Sequence, residues 1–475
     1  MARKKIIAVT YSPEKSVWQS CQDLAKNLRT AYQIAFGSSV EFIPSLNPGN
    51  ALEFKRTAKE LLKMSPDVIA FTEPGPNPGQ VLCYYDAILE AGKTASQTRK
   101  AIFHLYGGGL FLDMPYWQKS EIILKKYKCK FSFSSERQHS LVAPFFLNQK
   151  DVSNCAFPIS SESFFYSAET RQKFRSRFGL TKKDKLFVYT GRLSATKNII
   201  VLLRNFATYA SMNPDAYLFL AGPFDDISLT VFTYLEKRGD YEKRVLKVLA
   251  DIKHAVGNRI RLLGVLSTDE ILSLNNGADA FISLGTYHNE EFGLSPLVGL
   301  GCGCPVVLGA WGGFSQSSGD GRDCMLVSVG FTSQGLACSS SDISKAFNRI
   351  GQNQEDDQIR MDRSQRFIKR YSPDAIAEKL IELHEVRSKF RGFSKTSDLF
   401  MKGPNLAYPM EFLRDGEYRA MYQRYVSASS NTLSSEKNHD LAFRTDWIGE
   451  RIVFKSRKQF FKEIRDRHEH CFDER

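Results

Sequence analysis

Three short stretches carry the residues that could do chemistry. The first, TGRLSATKN (190–198), sets Arg192 and Lys197 just beyond an apolar run, LFVYTG. A guanidinium and an ammonium held together there can bind a diphosphate and neutralise the charge that builds on it as it leaves. They can also be two solvated surface cations. The second, NEEFGLSPL (289–297), follows DAFISLG. Gly293 permits close backbone approach, and the N–H groups that open the next helix attract an anion and gain from the helix dipole. Glu290 is the carboxylate suited to accept from sugar hydroxyls, and Glu291 reads as solvated. The third, FHLYGGGLF (103–111), alternates His104 and Tyr106 onto one face of a strand end, with Gly107 and Gly108 following. An imidazole at that place can bond a sugar or steer an acceptor. A lone strand histidine is also often a satisfied structural residue.

The elements around these stretches must deliver them to one edge. KKIIAVTYS, DVIAFT (67–72), AIFHLY (101–106) and KFSFS (130–134) are short apolar runs with helical patterns between them. Val17, Cys21, Leu24, Ala25, Leu28 and Tyr32 recur at helical spacing along one such pattern. The series restarts near 185 with LFVYTG, AYLFLAG, RIRLLG, DAFISLG and CPVVLG, each ending at glycine. Strands alternating with helices predict parallel sheets. In such sheets ligands bind at the carboxyl ends of strands, where these three stretches fall. The fold class expected is α/β, two Rossmann-like doubly wound domains facing a cleft, plus a C-terminal helical extension. The expected boundaries are 1–165, 166–386 and 387–475, with helices over 407–426 and 450–467 in the extension. That extension is basic and aromatic-rich, and is expected to pack back on the N-terminal domain.

At 475 residues the chain is too long for one ordinary core. The net charge of +13 and pI near 9.2 favour an acidic partner, such as nucleic acid, an anionic lipid surface or a phosphorylated substrate, or serve plain solubility. The cations are dispersed and no nucleic-acid motif accompanies them, so no nucleic-acid partner is expected. Nine scattered cysteines without a C-x-x-C pair read as reduced thiols, not as a zinc site. No apolar run of membrane-spanning length occurs in the sequence. A cytoplasmic protein is expected, with a peripheral place on the inner face of a membrane as the alternative.

G-R-x-x-x-x-K, followed at a distance by E-x-F-G opening a helix and C-G-x-P-V-V closing it, resembles the family-4 glycosyltransferases of the GT-B fold. The resemblance is clearest over 185–385 and weak over 1–160. It implies that Arg192 and Lys197 bind the donor diphosphate and that Glu290 contacts the transferred sugar. It also implies that the backbone around Phe292, Gly293 and Leu294 holds phosphate, that Gly191 and Ser295 belong to the donor site, and that Leu262 and Leu263 border the base. His104 would lie near the donor sugar, or Tyr106 in its place, with Tyr106, Gly107 and Gly108 as the acceptor-side candidates. Such enzymes transfer sugar with retention and without a divalent metal. The absence of any D-x-D agrees on the metal, so no cofactor is expected. The partners implied are a nucleotide-sugar donor and a glycan, lipid-linked or small-molecule acceptor, with an anionic membrane surface as a further candidate.

Three positions depart from the pattern. Val298 stands where the family's second glutamate holds the ribose. A hydrogen bond to a charged group contributes about 1.5–3 kcal/mol, so donor binding is expected to be roughly ten- to a hundredfold weaker. Asn198 stands where glycine is frequent, and TYSPEKSVW lacks the glycine pair often found after the first strand. The rival reading is a degenerate, non-catalytic GT-B protein that binds a sugar or a protein partner.

Overall fold

The computed structural model describes residues 7–11, 19–44, 51–72, 77–106, 117–160, 162–229, 234–236, 238–287, 290–317, 322–332, 335–386, 390–394, 441–442 and 451–453. The expected helix over 407–426 and most of that over 450–467 lie outside these residues, as do Gly107, Gly108 and most of the TYSPEKSVW turn. The chain divides into two compact units, Met1–Ile159 with Tyr371–Asn405, and Ser160–Arg370 with Leu406–Arg475.

The first unit holds a six-stranded parallel sheet. Its strands are β1 (Ile7–Tyr11), β2 (Val40–Pro44), β3 (Val68–Phe71), β4 (Lys100–His104), β5 (Lys130–Phe133) and β6 (Val152–Asn154), in the order β2-β1-β3-β4-β5-β6. The central strands β3 (VIAF) and β4 (KAIFH) are almost wholly apolar and buried, as strands covered by helices on both faces must be. Phe71, Phe103 and Phe131 stack across neighbouring strands, and Trp117 meets Phe103 and Phe131 edge-on.

Helix Pro373–Glu385 belongs to this unit, so the boundary expected at 386 falls at 370 instead. The physical reason is its apolar stripe. Ile376, Ala377, Leu380 and Leu383 are buried, and the helix lies along Gln19–Phe36 of the first unit. Ser372 caps it, its hydroxyl accepting from the Ala375 N–H at 3.2 Å. Lys100 Nζ donates to the carbonyls of Leu383, His384 and Val386 at its other end. Further on, Phe390 and Phe393 pack on Phe131 and Phe146.

The second unit is built on a second six-stranded parallel sheet. Its strands are β7 (Lys185–Thr190), β8 (Ala216–Ala221), β9 (Ile260–Leu262), β10 (Ala280–Ser283), β11 (Val306–Gly309) and β12 (Cys324–Val327), in the order β9-β8-β7-β10-β11-β12. Counted within the unit, this is the dinucleotide-fold order 3-2-1-4-5-6, whose direction reverses between β7 and β10. Asp279 fixes that junction from the far end. Its carboxylate accepts from Leu186 N at 2.8 Å and pairs with Arg171 (2.7 Å), Arg175 (3.0 Å) and Arg360 (3.3 Å). Burial alone would raise the pKa of Asp279, but the three guanidiniums outweigh it and hold the carboxyl down to about 2. Short antiparallel strands complete the unit. Among them, Arg451–Val453 pairs with Tyr234–Glu236, and Leu441–Ala442 with Gly335–Ser339, so the described start of the helix expected over 450–467 is instead a strand, and it adds to the second unit rather than the first, because its backbone completes an antiparallel ladder there.

Candidate functional site

The carboxyl ends of β7 and β10 bring Arg192, Lys197 and Glu290 together. The chain leaves β7 through Gly191 at φ 142°. Gly222, at the end of β8, stands so close that a Cβ on it would lie 2.0 Å from the Gly191 carbonyl oxygen. Gly191 N donates to Ala221 O at 2.9 Å, and Gly222 N to Gly264 O at 2.7 Å. The glycines that end successive runs therefore let three backbones converge at one edge. Tyr189 Oη donates to Arg192 O at 2.8 Å and fixes the residue that follows.

A short 3₁₀ turn, Ala195–Lys197, presents Lys197, and Asn198 then starts helix Ile199–Met212. Asn198 has φ 55°, left-handed backbone that glycine adopts freely and asparagine tolerates. Its amide donates to Leu284 O at 2.6 Å and to Thr286 Oγ1 at 3.2 Å. Asparagine here thus fits the glycine-like conformation and adds a tie to the loop after β10. Thr286 N completes that tie by donating to Thr196 O at 3.1 Å.

Glu290 is nearly buried and its carboxylate pairs with Lys197 Nζ. Gly285 leaves the space for this pair: a Cβ there would lie 3.3 Å from Lys197 Cδ and 3.6 Å from Glu290 Oε2. Lys197 Nζ also lies 5.8 Å from the centre of the Tyr287 ring. Glu291, expected in solvent, is only 4% exposed. The correction has a plain cause: the 290–292 turn is clamped from above by the AWGGF segment after β11. Gly313 N donates to Glu290 O at 2.7 Å, Trp311 Nε1 donates to Tyr287 O at 2.7 Å, and a Cβ on Gly313 would strike Glu291 O at 1.8 Å.

Gly293, at φ 82°, caps helix Leu294–Gly301 and packs against the Phe314 ring. First-turn N–H groups have no intrahelical carbonyl, and Pro296 removes one more donor. Phe292 is buried behind this turn, while Leu294, Ser295 and Val298 share the half-exposed face of the helix. Ser295 Oγ lies 3.7 Å from where a Gly191 Cβ would stand, so the helix start and the end of β7 are neighbours. Leu262 and Leu263, half-buried, close β9 at the same sheet edge.

Arg192 pairs with Asp225, which the sequence reading did not single out. Burial pulls the Arg192 pKa down, but Asp225, with Tyr287 and Tyr189, outweighs that and leaves it above the ordinary arginine value. The signal that could have found Asp225 is its place just beyond AYLFLAG, at another strand end.

His104 and Tyr106, expected near a donor sugar, belong to the first unit. Both are buried in the first unit, His104 with 0% exposure. Tyr106 Oη donates to Cys155 O at 3.0 Å, so it must accept from His104 Nδ1, 3.1 Å away. A neutral imidazole then has only an acceptor left at Nε2, which takes the Tyr32 hydroxyl at 2.6 Å. Tyr32 Oη in turn lies 3.3 Å from His384 Nε2. Both ring nitrogens are committed inside the core. Burial lowers the His104 pKa to about 3.

Residues 170–355 match the family model of glycosyl transferases, group 1. Over 174 residues the chain is 25% identical to mannosylfructose-phosphate synthase of Agrobacterium fabrum, covering 36% of this chain and 34% of that protein. Over 183 residues it is 27% identical to D-inositol 3-phosphate glycosyltransferase of Corynebacterium jeikeium, covering 37% and 41%. The chain thus spans well under half the length of these relatives. HepE of Anabaena, solved with UDP and glucose, has the same fold: TM-score 0.57 at 15% identity, over 81% of this chain and 100% of that one. The two-domain fold is GT-B. No helix among the described residues is long and apolar enough to cross a membrane.

Proposed function

We propose, from a second domain of the group 1 glycosyl transferase type carried on a GT-B fold, that this protein moves a sugar from a nucleotide-sugar donor to an acceptor hydroxyl. The observation that carries the reading is the convergence of Arg192, Lys197 and Glu290 at the point where the second sheet reverses its strand order. Arg192 and Lys197 would hold the diphosphate and neutralise the charge left on it when its bond to the sugar breaks. The start of helix Leu294–Gly301 would add backbone donors and the positive end of its dipole. Glu290 would accept from the sugar hydroxyls once a bound donor shares Lys197. Transfer would proceed with retention and without a divalent metal, the two cations supplying the charge that a metal would otherwise bring.

The test is calorimetric binding of UDP, GDP and ADP, with Arg192→Ala alongside. UDP comes first because HepE was solved with it. Micromolar binding of one nucleotide, lost in the variant, supports the donor site, and the anomer formed by transfer then tests retention. Val298, apolar on the half-exposed helix face, favours the second reading, a non-catalytic GT-B protein. No binding at millimolar concentration by a folded protein moves that reading to the front.

A further inference from the structure

We propose that Asp225 is a positioning residue for Arg192, holding the guanidinium at the mouth of β7 and keeping the unliganded site close to charge balance. The inference rests on the donor-site reading above. Two cations, Arg192 and Lys197, face two carboxylates, Asp225 and Glu290, one to each. The Asp225 side chain is 5% exposed while that of Arg192 is 22% exposed, so the acid is the anchored partner.

The backbone explains the anchoring. Leu193 N donates to Pro223 O at 2.8 Å, and Asp225 N donates to Leu193 O at 3.0 Å. Leu193 and Phe224 form a parallel bridge between the two loops. The Gly191–Gly222 approach brings these loops together in the first place. Asp225 is thus laced to the residue next to Arg192, and its carboxylate meets a guanidinium whose own backbone is held by Tyr189. A long arginine that would otherwise sample many rotamers is aimed before any ligand arrives.

The role has two separable parts. As a negative charge, Asp225 competes with a diphosphate for Arg192 and lowers ground-state affinity. As an anchor, it fixes the guanidinium where leaving-group charge develops, and so raises turnover. Removing the charge should therefore move binding and rate in opposite directions, which a purely structural residue would not do.

The experiment uses the full chain. UDP, GDP and ADP are titrated at low and high salt, and donor hydrolysis with water as acceptor is followed for the sugar nucleotide of whichever binds. Asp225→Asn should bind the diphosphate up to about tenfold more tightly, with a steeper salt dependence, because the site gains one positive charge. Its kcat should fall about ten- to a hundredfold. Asp225→Glu keeps the charge and shifts the anchor, so affinity and salt dependence should hold while kcat falls. It also serves if the asparagine variant does not fold. Asp226→Asn, altering a carboxylate that accepts from Gly239 N at 3.2 and 3.1 Å, should leave both quantities unchanged. Parallel loss of binding and rate in Asp225→Asn, or no change in either, overturns the inference while leaving the donor site standing. No nucleotide binding by the unaltered protein removes the donor site and this inference with it.

Discussion

Acid should weaken the first unit through His104, and the size of the effect follows from its burial. The imidazole has 0% exposure, and its folded pKa of about 3 lies well below the usual 6.5. The sign is fixed by linkage. Between those two values the unfolded chain binds a proton that the folded chain refuses, so stability is full above pH 6.5 and is lost as pH falls towards 3. Each pH unit is worth about 1.4 kcal/mol. Moving from pH 7.5 to 5.0 should therefore cost about 2 kcal/mol from this residue alone, and the whole range about 5 kcal/mol. The assay is denaturant unfolding at the two pH values for the unaltered chain and for His104→Gln, following a signal from the first unit. The glutamine variant will be less stable at pH 7.5, because an amide cannot reproduce the Tyr32–His104–Tyr106 chain. The informative quantity is its slope with pH, which should be flatter by the same 2 kcal/mol. An imidazole signal for His104 titrating near 6.5, or an unchanged slope in the variant, would refute the buried neutral placement and reopen a role in contact with substrate.

Three further outcomes are expected. Gly222→Ala puts a Cβ 2.0 Å from Gly191 O at φ 140°, so the ends of β7 and β8 must part. It should cost about 1–3 kcal/mol in thermal unfolding and weaken nucleotide binding, whereas Gly264→Ala, with nothing within 4 Å of its Cβ, should keep packing but carry strain at φ 70°. Val298→Glu adds a carboxylate on the half-exposed face shared with Leu294 and Ser295, and should tighten nucleotide binding about tenfold or more by calorimetry if the ribose lies there. Asp279→Ala leaves Arg171, Arg175 and Arg360 without their shared carboxylate, and should cost about 3–5 kcal/mol in unfolding at neutral pH.

The second unit was legible because its signals are local. Five of its six strands, β7 to β11, are short apolar-rich runs that end at a glycine, whereas β12 runs on into Ser328 and carries no such mark. Gly191 and Gly222 need positive φ and mutual contact, so the punctuation seen along the sequence is the geometry of the site itself. Arg192, Lys197 and Glu290 follow directly from knowing where strands end. Asp225 stands at a strand end too, but its pairing with Arg192 and the Trp311–Gly313 clamp were not legible, because what makes them matter is a neighbour across the sheet. The AWGGF segment reads as an ordinary turn until Gly313 is seen against Glu291.

His104 shows the opposite limit. Alternation along AIFHLY separates two faces of a strand, but β4 lies inside a parallel sheet covered on both sides. Neither face of such a strand need meet solvent, so period-two reasoning cannot distinguish a ligand-facing imidazole from one facing a helix. Here the covering helices supply the answer. Tyr32 comes from Gln19–Phe36 and His384 from Pro373–Glu385, far apart in the chain. The helix that carries His384 is also the one whose unit the sequence misassigned. Both misreadings share one cause: a returning helix closes the first unit's core, and no local pattern at residue 104 or at 373 announces the other. The same helix makes His104 dependent on residues 352 positions apart, Tyr32 and His384, which is why its titration reports the integrity of the whole first unit rather than of one strand.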